Sequence, residues 1–369
     1  MMDMVVFGGY LLSFLLVLSI VVIVHEWGHF FAARRCGVQV VAFSIGFGKK
    51  LWSRTDKKGT EWRICAIPLG GYVQMLGDED AASMKKSDAG LTDEEKKHTF
   101  MAQALWKRAL IIFAGPFMNY FFAIAALAVI LATVGYVRIP PVVGEVLSGS
   151  VAEKAGIQKG DVIVAVDQKP VADFTDLKRA VVISKFGKEM VLTIHRGAET
   201  LDLKVLPEIK EDGELPQIGV VAPADVEPTF EKYALPTAFV KATGMAYDIT
   251  VDTLVYLGQV LSGKRSADDM RGPVGIAEAS GDAAKAGFLA FVLFVIQVSI
   301  GIGFVNLLPV PLLDGGHLAL YAVEAVIRRP VSERIQMALL RVGMAVLIFI
   351  FAFTLFKDVP RVIGRIFGL

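Results

Sequence analysis

Hydrophobic and polar positions alternate on two scales along this chain. On the longer scale, Met4 to Val24 carries no charged residue, and its 21 positions at about 1.5 Å each cover roughly the 30 Å of a bilayer's hydrocarbon. The pattern predicts a transmembrane helix there. Ala109 to Val134 is a second uncharged run, whose Gly115 and Pro116 are tolerated in a membrane helix when neighbours satisfy the freed backbone groups. Ala286 to Leu313 is a third, interrupted near its end by Pro309 and Pro311. Val342 to Phe356 spans only 15 residues, and extending it back to Ile335 takes in Arg341; it is read as a fourth span. The fold class expected is a polytopic α-helical membrane protein of about four transmembrane helices.

On the shorter scale, the region between spans two and three reads as strands. Val162 to Val166 and Val191 to Ile194 are β-rich, Leu201 to Val205 alternates apolar and polar, and Gly156, Gly160 and Gly197 punctuate them. Asp173 to Ser184 fits one helix with an acidic cap. These features predict a small β-rich domain over 138–222, inserted in the helical membrane protein. Between 223 and 285 no span is unbroken. There Phe230, Tyr233, Phe239, Met245, Tyr247, Leu254, Leu257 and Leu261 line amphipathic helices lying either on the membrane surface or against the soluble domain. The expected organisation is span one with its motif (1–36), a β segment and loop (37–105), span two (106–137), the β-rich domain (138–222), the amphipathic segment (223–285), span three (286–327), and span four with the tail (328–369).

Composition agrees. Hydrophobic residues make up 54% of 369 positions against 20% charged, with a mean hydropathy of +0.56, which excludes a purely soluble protein and a disordered one. Lys+Arg 38 against Asp+Glu 37 gives no electrostatic case for nucleic acid. Cys36 and Cys65 lack a C-x-x-C spacing and are read as bystanders. The first apolar run lacks a basic leader and an A-x-A-like cleavage site, so it is kept as a span rather than a secretory signal. Basic residues concentrate in 34–108 and again at Arg328, Arg329 and Arg334, both after odd-numbered spans. The positive-inside rule therefore puts both on the cytoplasmic side and the N-terminus and β-rich domain outside, although Lys357, Arg361 and Arg365 in the tail run against it.

At the end of span one stands His25-Glu26-Trp27-Gly28-His29. Residues i and i+4 share a helix face, so two imidazoles converge on one metal ion with Glu26 beside them, the H-E-x-x-H arrangement of zinc hydrolases in which glutamate is the general base. Ionisable residues in a span are costly and point to function. Phe30 to Ala33 continues the apolar run to Arg34, so the motif is submerged. A hydrolytic zinc site needs a third protein ligand. His98 and His195 read as surface residues; Asp314, which closes span three, is the candidate, with His317 as its rival beyond a Gly-Gly pair expected to end the helix. Zn²⁺ with two neutral imidazoles, one aspartate and one hydroxide is neutral, which suits low dielectric.

The pattern Ser150-x-Ala152-x-x-Ala155-Gly156-x-x-x-Gly160-Asp161-x-Ile163 resembles the PDZ domains of bacterial membrane and periplasmic proteases. That resemblance implies either capture of an extended peptide or free C-terminus by strand addition or a spacer that blocks access. With His25-Glu26-x-x-His29, the stretch Asn306-x-x-Pro309-x-x-x-x-Asp314-Gly315, and Ala114-Gly115-Pro116-x-x-Asn119, the whole chain resembles the site-2 protease family of intramembrane zinc metalloproteases, in its bacterial regulated-proteolysis branch. Members often carry two PDZ domains; one is found here. The resemblance implies a multi-pass protein of the bacterial inner membrane that uses Zn²⁺. It implies hydrolysis of a peptide bond within or near the transmembrane segment of single-pass substrates, after an upstream site-1 protease has trimmed them.

Asn306 is expected to hydrogen-bond unwound substrate or to make a helix–helix contact. Segment 39–75, with Gly70, Gly71 and Tyr72, is expected to form a hairpin, either cytoplasmic or re-entering the membrane, whose edge would pair with substrate. Two alternatives differ in class. A non-catalytic receptor with a structural metal site has no need of Glu26, and structural sites usually close with four protein ligands. A zinc transporter needs polar residues along several spans, and spans two and four offer little beyond Asn119 and Arg341.

Overall fold

The computed structural model describes residues 4–77, 90–184, 187–208, 216–223, 229–263 and 272–367. Parts of the expected β-rich domain (209–215) and of the segment after it (224–228, 264–271) lie outside the described residues. In chain order the elements are α1 (Met4–Cys36), β1 (Val40–Thr55), β2 (Glu61–Met75), α2 (Asp93–Lys96), α3 (Leu105–Thr133), β3 (Tyr136–Arg138), β4 (Glu145–Val146), α4 (Val151–Lys154), β5 (Val162–Val166) and β6 (Lys169–Pro170). Then come α5 (Phe174–Val182), β7 (Met190–Arg196), β8 (Glu199–Val205), β9 (Val220–Val221), β10 (Thr229–Glu231), α6 (Leu235–Leu261), α7 (Pro273–Lys285), α8 (Phe288–Leu307), α9 (Asp314–Ile327) and α10 (Glu333–Phe367). Two compact units result, one of 1–126 with 271–369 and one of 127–270.

The first unit is built on helices. Among the described residues four are long and apolar enough to cross a membrane: Gly8–Cys36, Leu105–Thr133, Phe288–Leu307 and Arg334–Phe356. The first does not stop at Val24. It continues to Cys36, with Phe30, Ala32 and Ala33 buried against the sheet and α3, so the H-E-x-x-H turn lies well inside one continuous helix. Helices α1 and α3 cross backbone to backbone at Gly28, where any Cβ would collide with the Ala114 carbonyl; small residues permit this approach in a bilayer, where apolar burial alone gives little drive. Val17, Val21 and Val295 pack α1 on α8.

Span three differs from the expectation. Helix α8 ends at Leu307, since Pro309 and Pro311 cannot continue its ladder, and the chain turns through 308–313 with Leu312 at φ 82°. Asp314 therefore opens a new helix rather than closing a long one, and Gly315-Gly316 starts α9 instead of ending α8. Both glycines are required there, because a Cβ on either would strike the carbonyls of the turn just passed. Helix α9 is fixed to the start of α3 by Arg108, which meets Glu324 at 3.3 Å.

Segment 39–75 is a folded-over sheet rather than a simple hairpin. The first half of β1 pairs on one side with Gly71–Gln74 and on the other with Glu61–Ile64, which pairs in turn with Trp52–Thr55. Register breaks between Ile45 and Trp52 allow each long strand to serve twice. Trp27, Phe30, Phe43 and Trp62 clasp this sheet to α1, with ring centroids 5.0–6.1 Å apart. At one end Arg34 donates to Asp56 at 2.5 Å and to Thr60 at 2.8 Å. At the other, the Ser19 hydroxyl donates to the Pro68 carbonyl at 3.4 Å. Arg34 and Ser19 are separated on α1 by about 22 Å at 1.5 Å per residue, so the sheet runs along most of a hydrocarbon thickness.

Burial alone would raise the Asp56 carboxyl, but hydrogen bonds from Arg34, the Trp62 indole and the Lys58 and Thr60 amides hold it at about 2 against an ordinary 3.8. A depressed carboxylate stabilises the fold above its unfolded value, and this contribution is lost as pH falls through the folded one. The 56–60 turn is therefore expected to lose amide-exchange protection as pH drops from about 4 to about 2. Asp56→Asn should produce the loss at neutral pH, by roughly tenfold for a pair this open to water. Hydrogen exchange on the full chain checks both.

The second unit holds the β-rich region. A four-stranded antiparallel sheet of order β6-β5-β7-β8 covers Ile163, Leu177, Leu192 and Ile194, with α5 on its apolar face, while β4 pairs with β9 and β3 with β10. Asp173 caps α5, accepting from the Asp176 amide at 2.9 Å and from Tyr136 at 2.9 Å. Asp161 is buried at 1% exposure and accepts two bonds of 2.8 Å from Arg196, which hold its carboxyl below the usual range. Arg179 on α5 bridges to Asp248 and Asp252 of α6 at 2.8 and 2.6 Å. Residues 235–261 thus form one long helix.

Candidate active site

His25 and His29 lie one turn apart on α1, each 8% exposed, and present their Nε2 atoms to one point. The two nitrogens are 3.2 Å apart, and Asp314 Oδ2 stands 3.0 Å from the first and 3.5 Å from the second. Tetrahedral zinc with bonds of about 2.0–2.1 Å holds its ligand atoms about 3.3 Å apart, and the observed triangle has those dimensions. Asp314 Oδ2 is buried and has no hydrogen-bond donor. A carboxylate oxygen left so, facing two ring nitrogens, is an acceptor set for a cation. Among the described residues these three form the one group of His, Cys, Asp or Glu side chains so arranged.

Each ligand is delivered by a local feature of the chain. The imidazoles share a helix face through the i, i+4 spacing. Asp314 sits in the first turn of α9 but caps nothing there, so its carboxylate is free to turn to the histidines, while the positive helix end favours its charge. Helix α3 forms the back of the site. The Ile111 carbonyl accepts from His29 Nδ1 at 2.9 Å, and the Asn119 amide lies 3.2 Å from His25 Nδ1. Gly115 lies flat against both rings, and a side chain there would occupy the space of the imidazoles. The bond to Ile111, one turn ahead of Pro116, leaves Nε2 of His29 for a metal.

Glu26 projects from the same turn toward the sheet. The backbone N–H of Val73 faces its carboxylate, and a Cβ on Gly71 would lie 3.6 Å from its Cγ. The base candidate thus stands where the Gly71–Gln74 strand reaches α1. Along Gly71–Val73 the strand pairs with β1, and the Val73 N–H turns to Glu26. Gly70 lies against the Phe47 ring. Tyr72 stacks on Phe47 at 5.9 Å and accepts from Arg63 at 3.1 Å. Asn306 falls in the last turn of α8, separated from Asp314 by the proline turn.

The remaining histidines stay apart from the ligand group. His98 bonds the Gly37 carbonyl, His195 lies on β7 in the other unit, and His317 lies on α9 one turn beyond Asp314. Sequence reasoning passed over the Ile111 carbonyl, which carries no residue-type signal, and the placement of Asn119, whose signal was a lone amide in an uncharged span.

Two imidazoles and a carboxylate at zinc spacing, with a glutamate beside them on a membrane-length helix, define a metallopeptidase built into a multi-pass membrane protein. Comparison with known proteins agrees: residues 13–350 match the model of peptidase family M50, and the chain belongs to that family, the site-2 proteases. A protein of Mesorhizobium japonicum named as a zinc metalloprotease is 40% identical, over 95% of this chain and 99% of its own. One of Agrobacterium fabrum, likewise named, is 38% identical over 96% and 97%. Metalloprotease MmpA of Caulobacter vibrioides is 37% identical over 95% of each. The chain is accordingly a zinc metalloendopeptidase.

Proposed function

We propose that this enzyme cleaves single-pass membrane proteins within or near their transmembrane segment, after an upstream protease has removed the outer part. The observation that supports this reading most is the position of His25, Glu26 and His29 inside an apolar helix, with Asp314 of α9 closing the ligand triangle, beside a sheet that runs along that helix. A transmembrane helix hides its carbonyls in its own hydrogen bonds, so it must become extended before hydrolysis. The strand around Gly71 and Tyr72 passes Glu26, and we read its edge as the place where an unwound segment pairs. We read the sheet as re-entering the membrane from the cytoplasmic side of a bacterial inner membrane.

His25, His29 and Asp314 are the residues that would hold zinc. When bound, zinc supplies a Lewis acid that polarises the scissile carbonyl and makes water a nucleophile near neutral pH. Glu26 is placed to take a proton from the attacking water and to hand it to the leaving nitrogen. Gly115 and the imidazoles it packs against keep the wall of the site close. The β-rich domain over 138–222, PDZ-like in its motif, receives the trimmed outer end of the substrate.

Two expected results follow. In lipid vesicles holding enzyme and a trimmed single-pass substrate, a membrane-permeant zinc chelator should stop cleavage and added zinc should restore it; cleavage that survives metal removal would contradict the metallopeptidase reading. For the strand edge, Gly70→Ala and Tyr72→Ala should lower cleavage by at least tenfold while zinc content stays at wild-type level, since neither residue touches the ligands. Unaltered cleavage would remove the sheet from substrate binding.

A further inference from the structure

Asn119 lies in the middle of α3, fully buried, in a helix otherwise apolar around it. Its backbone carbonyl accepts from Ser299 at 3.0 Å, which ties α3 to α8. Its side chain has a separate role. The amide nitrogen stands 3.2 Å from His25 Nδ1, while the amide oxygen, Oδ1, is buried with no partner.

The chemistry of the metal site decides between the two ends of that amide. His25 turns Nε2 toward Asp314 and His29, so Nε2 must carry a free lone pair to bind a cation, and the neutral ring then bears its proton on Nδ1. A protonated Nδ1 needs an acceptor. With the amide nitrogen toward the ring, two donors would face each other and the oxygen would remain orphaned, a costly fault for a buried polar group. A half-turn of the amide removes both faults, since Oδ1 then accepts from Nδ1–H. Oxygen and nitrogen of an amide occupy nearly the same space, so the half-turn demands no repacking.

We propose that Asn119 is a positioning residue for the metal centre: its side-chain oxygen accepts from His25 Nδ1–H and fixes the tautomer that leaves Nε2 free for zinc. It performs for His25 what the Ile111 carbonyl performs for His29. Both outer partners come from α3, one backbone and one side chain, so this single helix sets the tautomer of both histidine ligands. The inference rests on the metal-site reading given above.

The test is zinc affinity of the full-length protein in detergent, measured by competition with a chromophoric chelator. Asn119→Leu keeps the size but removes the acceptor, and its zinc dissociation constant should rise about 10–100-fold, the range for losing an outer-shell partner. Asn119→Asp keeps an acceptor and gives up the donor, and its dissociation constant should stay within about threefold of wild type or fall, as carboxylate–histidine–zinc arrangements do. Affinity lost equally in Asn119→Asp and Asn119→Leu would show a donating or packing role and overturn the proposal; so would wild-type affinity in Asn119→Leu. Where Asn119→Leu fails to fold, Asn119→Asp alone still decides, because a donor role predicts its loss of zinc. A wild-type chain that takes up no stoichiometric zinc would instead overturn the metal-site reading itself.

Discussion

Glu26→Gln is expected to bind zinc at the wild-type ratio and to lose cleavage by about 10²- to 10⁴-fold, the contribution of a positioned general base. The separation follows from geometry. Glu26 is on the ligand turn but directs its carboxylate to Val73 and the sheet, whereas the ligand triangle is closed by His25, His29 and Asp314. Glutamine preserves the shape beside Gly71 and cannot take a proton. Zinc content by elemental analysis and product formation at equal membrane abundance check the two halves. Loss of zinc in this variant would make Glu26 a ligand, and undiminished cleavage would remove it from the mechanism.

Asp314→Ala is expected to lose zinc itself, and with it all measurable cleavage, an effect larger than the 10–100-fold assigned to an outer-shell partner. It removes the one anionic ligand, leaving a dication with two neutral imidazoles in a low-dielectric site, where uncompensated charge is most costly. The fold should persist, because Asp314 caps no helix and α9 remains fixed through Arg108 and Glu324. Zinc analysis of the purified variant, with hydrogen exchange in α9 as the control for folding, reads this directly. Stoichiometric zinc in Asp314→Ala would transfer the third position to another residue.

Much of this was legible in the sequence for physical reasons. Uncharged runs of membrane length mark spans because a charge in hydrocarbon is expensive, and the i, i+4 histidines declare a shared face whatever surrounds them. The alternation of Leu201 to Val205 and the acidic cap at Asp173 are likewise local signals, and both elements formed where they were expected. What escaped were relations between distant segments. Pro309 and Pro311 were visible, but that the chain turns there and starts α9 at Asp314 depends on Gly315 and Gly316 meeting the carbonyls of the turn. The doubled use of β1 and β2 depends on register breaks that strand periodicity does not reveal. Trp27 read as an unspecified position of the motif, yet its ring joins Phe30, Phe43 and Trp62 to hold the sheet against the site. The crossing at Gly28 and Ala114 similarly needed α3 in view before the glycine acquired a reason.

The central claim is that hydrolysis occurs at the depth of the ligand triangle. Its most direct test is to reconstitute the wild-type chain in lipid vesicles with a trimmed single-pass substrate and map the cut by mass spectrometry of both products. The arrangement of α1, α9 and the sheet predicts new termini inside the substrate's apolar segment, absent when Glu26→Gln replaces the wild type. Cleavage confined to the water-exposed flanks, with the apolar segment intact, would contradict it.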